Sequence, residues 1–99
     1  MTPIFKLLRA AEWAVFEADG VFAGSPDDVR DGYIHLSAAD QLAGTFDKYF
    51  AGEAGVVRLT LDADALGSAL RWEASRGGAL FPHLYRALRL DEMVAVTRL

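Results

Sequence analysis

A chain of 99 residues with no cysteine carries two histidines, and both fall where an imidazole could do chemistry. His35 lies in Tyr33-Ile34-His35-Leu36 and His83 in Phe81-Pro82-His83-Leu84-Tyr85, each on a short extended segment beside an aromatic residue. Imidazole moves protons and ligates metals near neutral pH, so these are the first side chains to weigh. A metal centre is disfavoured: no His-x-His or His-Glu-x-x-His spacing exists, and two histidines need carboxylates supplied by the fold. The four serines, Ser25, Ser37, Ser68 and Ser75, lack a Gly-x-Ser-x-Gly elbow. The absence of cysteine removes thiol nucleophiles, thiolate metal sites and disulfide scaffolds, and fits a reducing compartment.

Charge is unevenly spread. The chain has a net charge of −4 at pH 7, which argues against nucleic acid as a partner. Residues 71–89 run the other way, with Arg71, Arg76, Arg86 and Arg89 against Glu73 alone. Within that stretch, Ser75-Arg76-Gly77-Gly78 has the small residues that let backbone amides meet an anion, with arginine forks to supplement them. It is neither a P-loop nor a dinucleotide fingerprint. The plain alternative is a solvated turn flanked by strand-edge arginines.

The elements that must position these residues follow from periodicity. Residues 3 to 8 alternate as a strand, with Ile4, Lys6 and Leu8 opposed to Phe5 and Leu7. Trp13 and Phe16 recur at helical spacing, and Gly20 is placed to cap that helix. Residues 22 to 32 read as a loop closing in Asp31-Gly32, followed by the short strand 33–36. Ser37 and Asp40 read as a capping pair for a helix carrying Leu42, Phe46, Tyr49 and Phe50, which Gly52 ends. Val57, Leu59 and Leu61 define a further strand, and 62–66 a capped turn. Extended pieces at 70–73 and 81–85 flank the glycine loop, and Val94 and Val96 lie in a closing strand. The length allows one domain. The pattern is α+β: two helices on a curved, mostly antiparallel sheet. No apolar run approaches the ~18 residues of a membrane span, and the N-terminus lacks the layout of a signal peptide, so a cytoplasmic protein is expected.

The segments Asp31-Gly32-Tyr33-Ile34-His35-Leu36-Ser37 and Leu70-Arg71-Trp72-Glu73, then Arg76-Gly77-Gly78, then Phe81-Pro82-His83-Leu84-Tyr85, resemble the signature of domain-of-unknown-function family 952, a set of small, mostly bacterial stand-alone proteins. The resemblance covers nearly the whole chain. It implies a fold like that of the ADP-ribosyltransferases, which bind NAD in a cleft between two curved sheets. It also implies that His35 and Ser37 are the His-x-Ser step that holds the ribose region, and that Tyr85, with Tyr33 as the alternative, is the aromatic stacking on nicotinamide. Those enzymes place an acidic residue or glutamine after the tyrosine. Here only Asp91 and Glu92 follow it, and Glu73 precedes it.

Three readings stand at this point. One is a site for a small anionic ligand, NAD or another phosphorylated ribose nucleotide, with Arg71, Arg76, Gly77 and Gly78 on the anion and Glu73 or Glu92 as the catalytic carboxylate of ADP-ribosyl transfer. The second is a non-catalytic ligand-sensing or protein-interaction module. The third is a buried polar network with a purely structural role. The first two require His35, Arg71, Glu73, Arg76, His83 and Tyr85 to converge on one concave surface.

Overall fold

The computed structural model describes residues 1–99 apart from the side chain of Arg76. The chain forms three α-helices, and its nine short strands form three antiparallel sheets. In the largest sheet, β1 (Pro3–Leu8) lies between β4 (Ser37–Ala38) and β5 (Val57–Asp62), with β9 (Ala95–Arg98) on the outer edge of β5. The second sheet has the order β3 (Ile34–His35), β7 (Leu80–Leu84), β6 (Leu70–Ala74). A two-stranded pair joins β2 (Val21–Phe22) to β8 (Leu88–Arg89).

The alternation in β1 and β5 places their side chains. Ile4 and Leu8 share a face with Leu61 and Val57, their register partners, and all four are fully buried. On this face α1 (Ala10–Asp19) lays down Trp13 and Phe16, whose rings meet edge to face at 5.8 Å. Burying each large apolar side chain here contributes about 1.5 to 3 kcal/mol. Gly20 ends α1 at φ 76°, where its amide bonds the carbonyl of Phe16. The opposite face is covered by α3 (Leu42–Tyr49), whose Leu42 and Phe46 pack with Leu7, Phe50 and Val56.

Three expectations need correction. Residues 22–32 are not all loop: α2 (Pro26–Asp31) occupies their second half. Ser25 caps it by accepting from the Asp28 amide, Asp28 accepts in return from the Ser25 amide, and Pro26 supplies a preset φ in the first turn. Ser37 is not a helix cap. It lies in β4, opposite Phe5, and its hydroxyl is 2.8 Å from that of Thr45. The helix begins at Leu42, and Gln41 closes the preceding turn by accepting from the Ala38 amide. The α+β architecture stands, with three helices and three separate antiparallel sheets rather than two helices and one curved sheet.

Candidate functional site

The register of the three-stranded sheet brings the chemistry-bearing residues together. His35 on β3 is paired with His83 on β7, and His83 is paired with Arg71 on β6. Diagonally from His83, Glu73 places Oε1 at 2.8 Å from Nδ1 of that ring and accepts from the Tyr85 hydroxyl at 2.6 Å. The Tyr85 and His83 hydrogen bonds hold the Glu73 carboxyl below the usual carboxylate range. An ionised carboxylate only accepts, so Nδ1 of His83 is the donor in this contact. The Tyr85–Glu73 hydrogen bond pushes the Tyr85 phenol up, and the Arg71 guanidinium lies over that ring at 4.7 Å. Tyr33 stacks on His83 with centroids 4.0 Å apart and planes 18° from parallel, and lies 4.6 Å from His35. Partial burial, with Asp31 and Glu73 nearby, pushes its phenol up as well.

A second polar cluster lies beneath the first. Lys6 is buried on β1 in the register of Ile4 and Leu8, and its ammonium sits 2.9 Å from Asp28 Oδ2 and 3.1 Å from Oδ1. Asp28 also accepts from the Ser25 amide, the His35 amide and His35 Nδ1, the last at 2.7 Å. Burial alone would push this carboxyl up. The hydrogen bond from His35 and the charge of Lys6 outweigh it and hold the group well below the usual range. The outer nitrogen of His35, Nε2, is 3.0 Å from Asp31 Oδ2, so both of its ring nitrogens lie against carboxylates. The backbone makes room for this arrangement at Gly24, whose φ is +132° and where a Cβ would come within 2.7 Å of the Asp28 Cβ.

Between the two clusters and α3 lies a cavity of about 280 Å³. Its lining includes Lys6, Asp28, Tyr33, His35, Ser37 and His83, with Phe50 and Phe81 as apolar wall. Among the described residues, the cations that line it are paired: Lys6 with Asp28, Arg30 with Asp27 and Asp31, and Arg9 with Glu53.

The sequence model of a family described as protein of unknown function (DUF952) matches residues 7–96. The chain belongs to this family. The crystal structure of protein CC0527 from Caulobacter crescentus is similar at a TM-score of 0.95, with 49% identity over 98% of this chain and 85% of that one. A solution NMR structure of the same Caulobacter crescentus protein is similar at 0.90, with 50% identity over 100% of this chain and 85% of that one. No curated protein matches.

Within this DUF952 chain, His35, Ser37 and His83 line the cavity, while Arg71, Glu73 and Tyr85 form a linked patch beside it that reaches the cavity through His83. Gly77 and Gly78 adopt positive φ in the turn after β6, outside the lining, and the Gly78 amide is used in bonding the Ser75 carbonyl. The Arg76 side chain lies outside the described residues. Glu92 is placed elsewhere: it takes two bonds from Arg86, at 2.9 and 2.7 Å, and one from the Arg89 amide. Sequence reasoning missed Lys6, Asp28 and Asp31. The available signal was Lys6 itself, a charge in the inward register between Ile4 and Leu8.

Proposed function

We propose that the cavity binds a planar ring joined to a ribose, the nicotinamide-ribose end of NAD being the ligand of choice, on a fold related to the ADP-ribosyltransferases. The observation that carries this reading is that Tyr33, His35 and Ser37 line one cavity together, an aromatic face followed along the chain by two hydrogen-bonding groups. The ring lies against Tyr33, which takes the stacking role in preference to Tyr85 because Tyr85 is outside the wall. Ser37 and His35 meet the ribose, His35 exchanging its contact with the partly exposed Asp31 for the ligand. A cavity of about 280 Å³ admits one nucleoside of a dinucleotide, so the phosphates stay outside it. Group transfer of the ADP-ribosyl unit is the reaction this pose serves. The closed Arg86–Glu92 pair favours a second reading, recognition without transfer, since it removes one of the two carboxylates from the reaction.

A ligand that binds only the folded state raises the melting midpoint, by about 2.7 kcal/mol of stability at a hundred times its Kd. NAD and nicotinamide riboside are expected to raise it, glutathione is not, and Tyr33→Ala is expected to abolish the response. No response to any ring-plus-ribose compound refutes the proposal. Binding of NAD with nicotinamide release equal to the buffer blank selects the second reading.

A further inference from the structure

His83 and His35 differ in one respect that the sequence does not reveal. Both nitrogens of His35 lie against carboxylates, whereas only Nδ1 of His83 is engaged, by Glu73, and no described residue hydrogen-bonds its Nε2. His83 is 3% exposed and lines the cavity, so its environment there is the cavity itself. Its ring is fixed by the stack on Tyr33 at one face and by the Glu73 bond at one edge. Glu73 is fixed in turn by the Tyr85 hydroxyl, and Tyr85 by the stacked Arg71 guanidinium. A carboxylate that holds Nδ1–H selects the tautomer with its lone pair on Nε2 and stabilises the cation formed when that nitrogen takes a proton.

We propose that His83 is a general base acting on a hydroxyl group or water in the cavity, with Glu73 and Tyr85 as positioning residues. Resting on the ribosyl reading above, the step is as follows. The hydroxyl oxygen forms a bond to the anomeric carbon and its proton passes to His83 Nε2. The carbon–nitrogen bond to the pyridinium breaks, and its electron pair stays on the departing ring, which leaves neutral. No oxidant or metal enters the balance. Glu73, assigned from sequence to face the developing positive charge directly, acts instead through the imidazole.

The test has two parts that fail separately. In protein labelled with [15N]histidine at about pH 8, the nitrogen–proton couplings of His83 report its tautomer without any ligand. Nδ1–H is expected in the wild type and in Tyr85→Phe, and loss of that preference in Glu73→Ala. An Nε2–H tautomer in the wild type, or the same tautomer in Glu73→Ala, overturns the dyad whatever the ligand proves to be. In the second part, nicotinamide release from NAD is followed alongside the NAD-induced midpoint shift. General base catalysis supplies about 10²- to 10⁴-fold, so His83→Gln is expected to slow release at least 100-fold while the midpoint shift persists. Glu73→Ala, at a half-exposed position, is expected to lower kcat with KM unchanged, and this holds the proposal open to refutation if His83→Gln does not fold. Unchanged kcat in Glu73→Ala overturns the proposal. A wild type that gives no midpoint shift with NAD or any other ring-plus-ribose compound refutes the ribosyl reading, and the tautomer then decides the dyad alone.

Discussion

Replacing Asp28 with alanine leaves the Lys6 ammonium, 8% exposed, without its carboxylate. Breaking a buried pair by removing one partner costs about 3 to 5 kcal/mol, because the remaining charge is desolvated and unpaired. The amides of Ser25 and His35 lose their acceptor at the same time. In a fold whose whole stability is ~5 to 15 kcal/mol, that is a large share. For a domain of this size it lowers Tm by at least about 12 °C, at ~4 °C per kcal/mol. Lys6→Met costs less, since Asp28 keeps its bonds from Ser25 and His35. The double variant Lys6→Met with Asp28→Ala leaves no stranded charge and is expected to be more stable than Asp28→Ala alone. Urea denaturation followed through tryptophan fluorescence measures all four corners of this cycle. A loss under about 1 kcal/mol in Asp28→Ala, or additivity within ~0.5 kcal/mol, refutes the claim that this pair organises the floor of the cavity.

Acid titration checks the same carboxylate. Its pKa is lowered on folding, so the stability it contributes is fully present above the ordinary aspartate value of 3.8 and is lost as pH falls below that toward the folded value. The urea midpoint of the wild type should therefore drop below about pH 4 more steeply than that of Lys6→Met with Asp28→Ala. Gly24→Ala meets both a φ of +132° and the Asp28 Cβ at 2.7 Å, and should cost about 1 to 3 kcal/mol by denaturation while an alanine at Gly44, with open space around it, should not. Glu92→Ala removes two charged bonds from Arg86 and the cap on Arg89, at about 1 to 3 kcal/mol, and should leave the NAD-induced midpoint shift intact.

Long alternation was legible: β1, β5 and the helix bearing Trp13 and Phe16 follow from spacing that only one period satisfies. The turn at 62–66 was legible as well, and Asp62 caps it through the Asp64 amide. The strands β2 and β8, two residues each, are too short to have a period, and exist because their backbone bonds and Phe22 and Leu88 complete the core. The helix α2 was hidden by its composition, since proline and aspartate read as loop unless Ser25, Pro26 and Asp28 are recognised as cap, first turn and reciprocal partner. The convergence of His35 and His83 was legible from residue type, an imidazole on each of two apolar segments, whereas their direct pairing across β3 and β7 is a matter of register. At the Gly77-Gly78 loop composition points to amides that could meet an anion, and the structure adds that the Gly78 amide closes its own turn. Lys6 carried the clearest unread message, because a lysine in the inward register demands a buried partner, and nothing in sequence distance singles out Asp28 for it.

The central claim is that one cavity, walled by Tyr33, His35, Ser37 and His83, takes a ring-plus-ribose ligand. Titrating nicotinamide riboside into the 15N-labelled protein and following backbone amide and histidine ring signals tests it most directly. The account predicts saturable shifts concentrated at 33–37 and 81–83, with Nε2 of His83 among the most affected nuclei and Arg86 to Glu92 silent. Shifts confined to the turn at 75–79, or no saturable shift at any residue up to millimolar ligand, would contradict it.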